Sequence, residues 1–97
     1  MNVISHKKLR EFYETHTDSK SYLIVWFKTV RRASWKNFNE LQADYHMADI
    51  IADNRVIFNI KGNHYLLIIR INFEHQRVMI KCVGIHADYD RIDARTI

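Results

Sequence analysis

The chain has 97 residues, 47% of them hydrophobic and 12% aromatic, with a formal net charge of +4 and a pI near 9.4. That is enough apolar material for one modest core and too much for a disordered chain, and the basic excess favours an anionic partner: nucleic acid, the ribosome or an acidic protein. A lone cysteine, Cys82, excludes an internal disulfide and a cysteine-built zinc site.

The elements follow in chain order. Met1–Ile4 reads as a short edge strand. Ser5 is placed to cap a helix from His6 to about His16, with Leu9, Phe12 and Tyr13 at i, i+3 and i+4. Thr17–Lys20 breaks the pattern, and Asp18 or Ser19 can cap the next helix. Ser21–Ala33 carries Leu23, Trp26, Phe27 and Val30 at helical spacing. Lys28, Arg31, Arg32 and Lys36 would form one basic strip if that helix continues to Lys36. Asn37-Phe38-Asn39-Glu40 resembles a capping box and predicts a short helix to about Tyr45. His46–Asn54 reads as a connector whose Met47, Ile50 and Ile51 pack under a sheet.

From Arg55 the period changes to two. Arg55–Ile60 predicts a strand, Gly62-Asn63 a turn, and Tyr65–Glu74 a long strand. On that strand Tyr65, Leu67, Ile69, Ile71 and Phe73 point one way, and Leu66, Ile68, Arg70, Asn72 and Glu74 the other. Glu74–Gln76 reverses the chain. Arg77–Val83 predicts the last strand, with Val78, Ile80 and Cys82 on one face, where Cys82 would be a reduced core thiol. Gly84 is expected to break this strand, and Asp88–Ala94 to add a helical turn. The two glycines would mark the two places of special backbone geometry.

This order predicts a single α+β domain over residues 1–97. A short N-terminal strand and two to three helices pack on one face of a C-terminal antiparallel sheet of three to four strands. The other face is left partly open and carries Arg70 and Lys81.

Several residues suit RNA cleavage without a metal. That chemistry needs a group to take the 2′-OH proton, one to protonate the leaving 5′-oxygen, and positive charge on the transition state. His86, just after the last strand and three residues before Tyr89, is the foremost acid or base candidate. Lys61 and Asn63 flank the Gly62 turn, and Arg70 and Lys81 lie within strands, where charge ordinarily marks a solvated face. The Lys28/Arg31/Arg32/Lys36 strip suits electrostatic docking on RNA. Tyr45, His46, His64 and His75 form no metal-ligand spacing. Neither a cofactor motif nor a phosphate-binding glycine loop is present.

Asn59-Ile60-Lys61-Gly62-Asn63-His64-Tyr65, the strand after it, and Gly84-Ile85-His86-Ala87-Asp88-Tyr89-Asp90-Arg91-Ile92 resemble the HigB toxins of bacterial type II toxin–antitoxin systems, within the RelE-like superfamily. The likeness extends to Met1–Leu9, Trp35-Lys36-Asn37 and Tyr45–Asp49. It implies ribosome-dependent mRNA cleavage and neutralisation by a HigA-type helix-turn-helix antitoxin, with operator DNA engaged only through that antitoxin. It also implies a site of His86, Lys61, Tyr89 and Arg70. His86 would act as acid or base, Lys61 and Arg70 would bind phosphate, and Tyr89 would position substrate. Asn63, Lys81 and the basic strip would contact RNA.

The chain departs from the pattern at Leu66, where relatives carry an arginine that faces the RNA, and also at Met79, Cys82 and Ile85. Loss of a transition-state charge contact costs about 2.7–4 kcal/mol, so the resemblance at Leu66 implies a weakened toxin. The alternative is a catalytically impaired ribosome- or antitoxin-binding module of the same fold. A free-standing RNA-binding protein fits less well, for want of exposed stacking aromatics. Met1–Arg10 has no signal-peptide character, and the apolar runs are too short to span a bilayer, so a cytoplasmic location is expected.

Overall fold

A computed structural model describes residues 1–89 and Ile97, with Asp88 and Tyr89 described by backbone alone. The elements are β1 (Asn2–Ile4), α1 (His6–Thr15), a single 3-10 turn (Thr17–Ser19), α2 (Lys20–Arg32), α3 (Phe38–Asp44), β2 (Asp49–Ile51), β3 (Arg55–Ile60), β4 (Tyr65–Asn72), β5 (Arg77–Ile85) and α4 (His86–Tyr89). The strands form one sheet in the order β1-β5-β4-β3-β2. β1 runs parallel to β5 and the other pairings are antiparallel. The α+β class and the one-sided helix layer agree with the sequence. The sheet is mixed and has five strands, where the sequence predicted an antiparallel three or four.

The helices cover one face. Leu9 of α1, Leu23, Trp26 and Val30 of α2, and Leu41 of α3 are buried against Val56, Phe58, Ile60, Tyr65, Leu67, Ile69, Ile71, Val78 and Ile80. Each such Leu, Ile or Val contributes about 1.5–3 kcal/mol by leaving water. On the opposite face Ile57, Leu66 and Ile68 form a second, smaller cluster, flanked by Ile51, Cys82 and Ile97. The alternation predicted for β4 is therefore the one observed.

Four local expectations are corrected. First, the predicted connector contains β2, whose Ile50 packs on the helix-side core and Ile51 on the second cluster, while Met47 is 70% exposed. The turn after β2 places Asp53 and Asn54 at positive φ, which short polar side chains tolerate. Second, Gly84 does not end β5 but pairs with Leu66 inside it. Third, the register passes from Ile68↔Cys82 to Ile69↔Ile80, leaving Lys81 opposite no residue of β4. This extra residue reverses the parity beyond it, so Cys82 joins the second cluster and Val83 the helix-side core. Fourth, α2 stops at Arg32, where Ala33 turns extended, so Lys36 lies beyond the helix and the basic strip is not one helical face.

The caps are mixed. Asn37 accepts from the Glu40 amide at 3.0 Å, and Glu40 reaches back to the Lys36 amide at 3.2 Å. Ser5 and Ser19 stand at the predicted cap positions without a side-chain cap bond. Of the predicted turn from Asp88 to Ala94, the backbone through Tyr89 is helical and the rest lies outside the described residues.

Candidate functional site

The register sets where the charged residues fall. Ile60 pairs with Tyr65 and Tyr65 with Ile85. This puts the Lys61–His64 turn and His86 at one end of the sheet, on strands about 10 Å apart with β4 between them. Lys61 and Gly62 both take positive φ, at 52° and 63°, and the His64 amide donates to the Lys61 carbonyl at 3.2 Å. For Lys61 this left-handed backbone carries strain on the order of 1–3 kcal/mol.

Lys61 is not a loose surface cation. Its ammonium donates to Asp18 Oδ2 at 2.7 Å, and the Tyr65 hydroxyl donates to Asp18 Oδ1. The Lys61 bond, supported by that from Tyr65, holds the Asp18 carboxyl below the usual carboxylate range. The same bonds to Asp18 raise the Lys61 ammonium and the Tyr65 hydroxyl above their ordinary values. Lys61 also rims an apolar hollow of about 450 Å³ between α2 and β3, walled by Tyr22, Val25, Trp26, Phe58 and Ile60.

Arg70 lies five residues along β4 from Tyr65, about 17 Å away, and is exposed. It meets Asp53 Oδ1 at 3.5 Å, while Asp53 Oδ2 takes Arg55 Nη1 at 2.7 Å. Hydrogen bonding from Arg55, then the charge of Arg70, pulls the Asp53 carboxyl down. Arg55 is buried and also donates through Nε to the Ile97 main-chain oxygen at 2.8 Å.

The register thus puts the backbones of Lys61, Asn63 and His86 at one end of the sheet and Arg70 toward the other. Lys81 is half-buried at the β5 bulge, and Asn63 and His86 are exposed. Tyr89 is the last described residue of α4, and its side chain, with Asp90-Arg91-Ile92, is outside the described residues. Lys28, Arg31, Arg32 and Lys36 are exposed. Arg32 lies ten residues from Tyr22 along α2, hence about 15 Å from the Lys61 end. The open face is open only in part: Arg70 and Asn72 are exposed, whereas Leu66 is 5% exposed within the second cluster. Leu66 therefore does not present a surface to RNA here.

The sequence offers Asp18 only as an alternative to Ser19 for a helix cap, and it assigns no role to Asp53 or Arg55. Among the described residues no three His, Cys, Asp or Glu come together as a metal-binding group, and no helix is long and apolar enough to cross a membrane.

The family model for HigB toxin, the RelE-like toxic component of a toxin–antitoxin system, matches residues 19–92. The mRNA interferase toxin HigB of Escherichia coli K12 is 27% identical over 92 residues, covering 93% of this chain and 88% of the relative. The mRNA interferase HigB proteins of E. coli O157:H7 and Shigella flexneri match to the same extent, 27% over 92 residues. With the family model covering both the Lys61 turn and the His86 segment, the chain belongs to the HigB toxin family.

Proposed function

We propose that this chain acts, as a single domain over residues 1–97, as a ribosome-dependent mRNA endoribonuclease that works without a metal and so blocks translation. The observation that carries this reading is the strand register that brings Lys61 and His86 to one sheet end, in a family whose relatives are named mRNA interferases. His86 serves as general acid or base. Lys61 supplies positive charge to the scissile phosphate, and Tyr89 and Asn63 position the RNA. Arg70, Lys81 and the Lys28/Arg31/Arg32/Lys36 group hold flanking phosphates, a role suited to their distance from the turn. The partners are the ribosome, mRNA and, in the cytoplasm, a HigA-type helix-turn-helix antitoxin through which operator DNA is engaged.

The experiment is induction of the chain without its antitoxin, with mRNA 5′ ends mapped. Cuts confined to translated regions are expected, and His86→Ala should reduce cleavage by about 10²–10⁴-fold. Intact transcripts with unimpaired growth overturn the proposal.

Leu66 favours a second reading, a fold that docks on ribosome or antitoxin with weakened cleavage. The residue is held in an apolar cluster with Ile57 and Ile68, with Ile97 against it. Leu66→Arg tests this by growth arrest and mRNA cleavage, with urea unfolding alongside. A buried unpaired charge costs several kcal/mol unless the cluster opens to release it. Stronger cleavage by the arginine variant supports attenuation; equal, strong toxicity of both chains overturns it.

A further inference from the structure

We infer that Asp18 is a positioning residue of this site, whose carboxylate bridges Tyr65 and Lys61 and so fixes the Lys61 ammonium at the hairpin end of the sheet. The inference deepens the proposed endoribonuclease reading and rests on it for the role of Lys61.

Asp18 lies in the 3-10 turn before α2, 43 residues before Lys61 and 47 before Tyr65. The bridge therefore joins the helix layer to the β3–β4 hairpin through residues far apart in sequence. Tyr65 is the rigid member. It is 8% exposed, with Phe12 edge-on at 5.3 Å and His16 edge-on at 5.7 Å. Its hydroxyl holds one Asp18 oxygen in place and leaves the other for Lys61. Lys61 accepts a left-handed backbone in the same arrangement. A lysine stem otherwise samples many rotamers, so a fixed partner at 2.7 Å converts a mobile charge into a placed one.

The ammonium remains usable. It has three donors and gives one to Asp18, and the Lys61 side chain is 32% exposed. Two donors are left for phosphate oxygens. A lysine ammonium is protonated near neutral pH and the Asp18 bond raises it further, so Lys61 acts as a standing cation and the proton transfers fall to other groups. The titratable groups facing this cluster are Tyr22 from α2, His16 after α1 and His64 from the hairpin, the last with its ring 6.3 Å from Tyr65.

The test compares the unchanged chain with Asp18→Asn, Asp18→Glu and Tyr65→Phe. Lys61 is titrated by NMR at its side-chain carbon. Binding of a short single-stranded RNA and single-turnover cleavage of ribosome-bound mRNA are followed across pH. Asp18→Asn is expected to lower the Lys61 titration midpoint, weaken RNA binding and slow cleavage about 10-fold. Its cleavage should begin to fall at lower pH on the alkaline side than that of the unchanged chain. Asp18→Glu should recover part of each effect, which a merely structural loss would not. An unmoved Lys61 midpoint, or unchanged binding and cleavage, overturns the role of Asp18. The titration and RNA binding need no ribosome. An unchanged chain that fails to cut therefore sinks the endoribonuclease reading, while these two measurements still decide for or against Asp18.

Discussion

The two ends of β4 carry the same pairing, a basic side chain on an aspartate, under opposite degrees of constraint. At the Tyr65 end Lys61 meets Asp18 at 2.7 Å, with Tyr65 on the second oxygen. At the Asn72 end Arg70 meets Asp53 at 3.5 Å with its side chain 50% exposed, and the shorter bond of Asp53, at 2.7 Å, goes to Arg55. Arg55 and Arg70 stand directly opposite in the β3–β4 register. Like charges so placed repel, and Asp53 relieves them. Lys61 is a charge already placed, whereas Arg70 is held loosely and, in the proposed reaction, would be ordered by the RNA. An exposed pair like that of Arg70 contributes only about 0–1 kcal/mol and is readily exchanged for a phosphate.

The largest break in this comparison is at Arg55. Arg55→Met removes the part-buried bonds to the Ile97 oxygen and to Asp53 and leaves the Asp53 carboxylate to Arg70 alone. Hydrogen bonds to charged groups contribute about 1.5–3 kcal/mol, so urea unfolding should show a loss of about 2 kcal/mol. The Lys61 titration should not move. If it does, the two ends are coupled and the contrast between them fails.

Much of this arrangement was legible before the structure, because it rests on local periodicity. The two long helices, β3 and the faces of β4 follow from apolar spacing within single segments. What was not legible depends on residues far apart. β2 is three residues long and exists through pairing with Arg55–Ile57. The Lys81 bulge appears only when β5 is matched against β4, so Cys82 was assigned to the wrong face. Asp18 looked like a cap because its partners are more than forty residues away. The two motifs that carry Lys61 and His86 were legible, though not the register that sets them at one end of the sheet. The separation of Arg70 and the burial of Leu66 were not, since both depend on where along the sheet each residue falls.

Smaller changes sharpen the contrast. Tyr65→Phe keeps the ring against Phe12 and His16 and removes one donor from Asp18, so a loss of about 1 kcal/mol is expected, with lower Lys61 order in NMR relaxation. Arg70→Ala should change stability by less than about 0.5 kcal/mol. Its effect should fall on RNA affinity, with a shallower salt dependence of binding. A larger stability loss at Arg70 than at Tyr65, by urea unfolding, would reverse the assignment of placed and unplaced charge.

The smallest expected effect is on the pH dependence of stability, and its sign separates the two ends. Asp18 titrates below its unfolded value. Its contribution is complete above the ordinary carboxylate range and fades as pH falls through the depressed value. Lys61 and Tyr65 titrate above theirs. Their contribution is complete below the ordinary lysine and tyrosine values and fades as pH rises through the raised ones. The Lys61 end thus has an acid limb and an alkaline limb, with a plateau across neutrality. Asp53 is depressed by Arg55 and Arg70, giving the Arg70 end an acid limb from its carboxylate. Melting temperature against pH should therefore lose part of both limbs in Asp18→Asn and part of the acid limb alone in Arg70→Ala. An alkaline limb that survives Asp18→Asn unchanged would mean that Lys61 and Tyr65 do not depend on Asp18, and the Lys61 end would then be no more constrained than the Arg70 end.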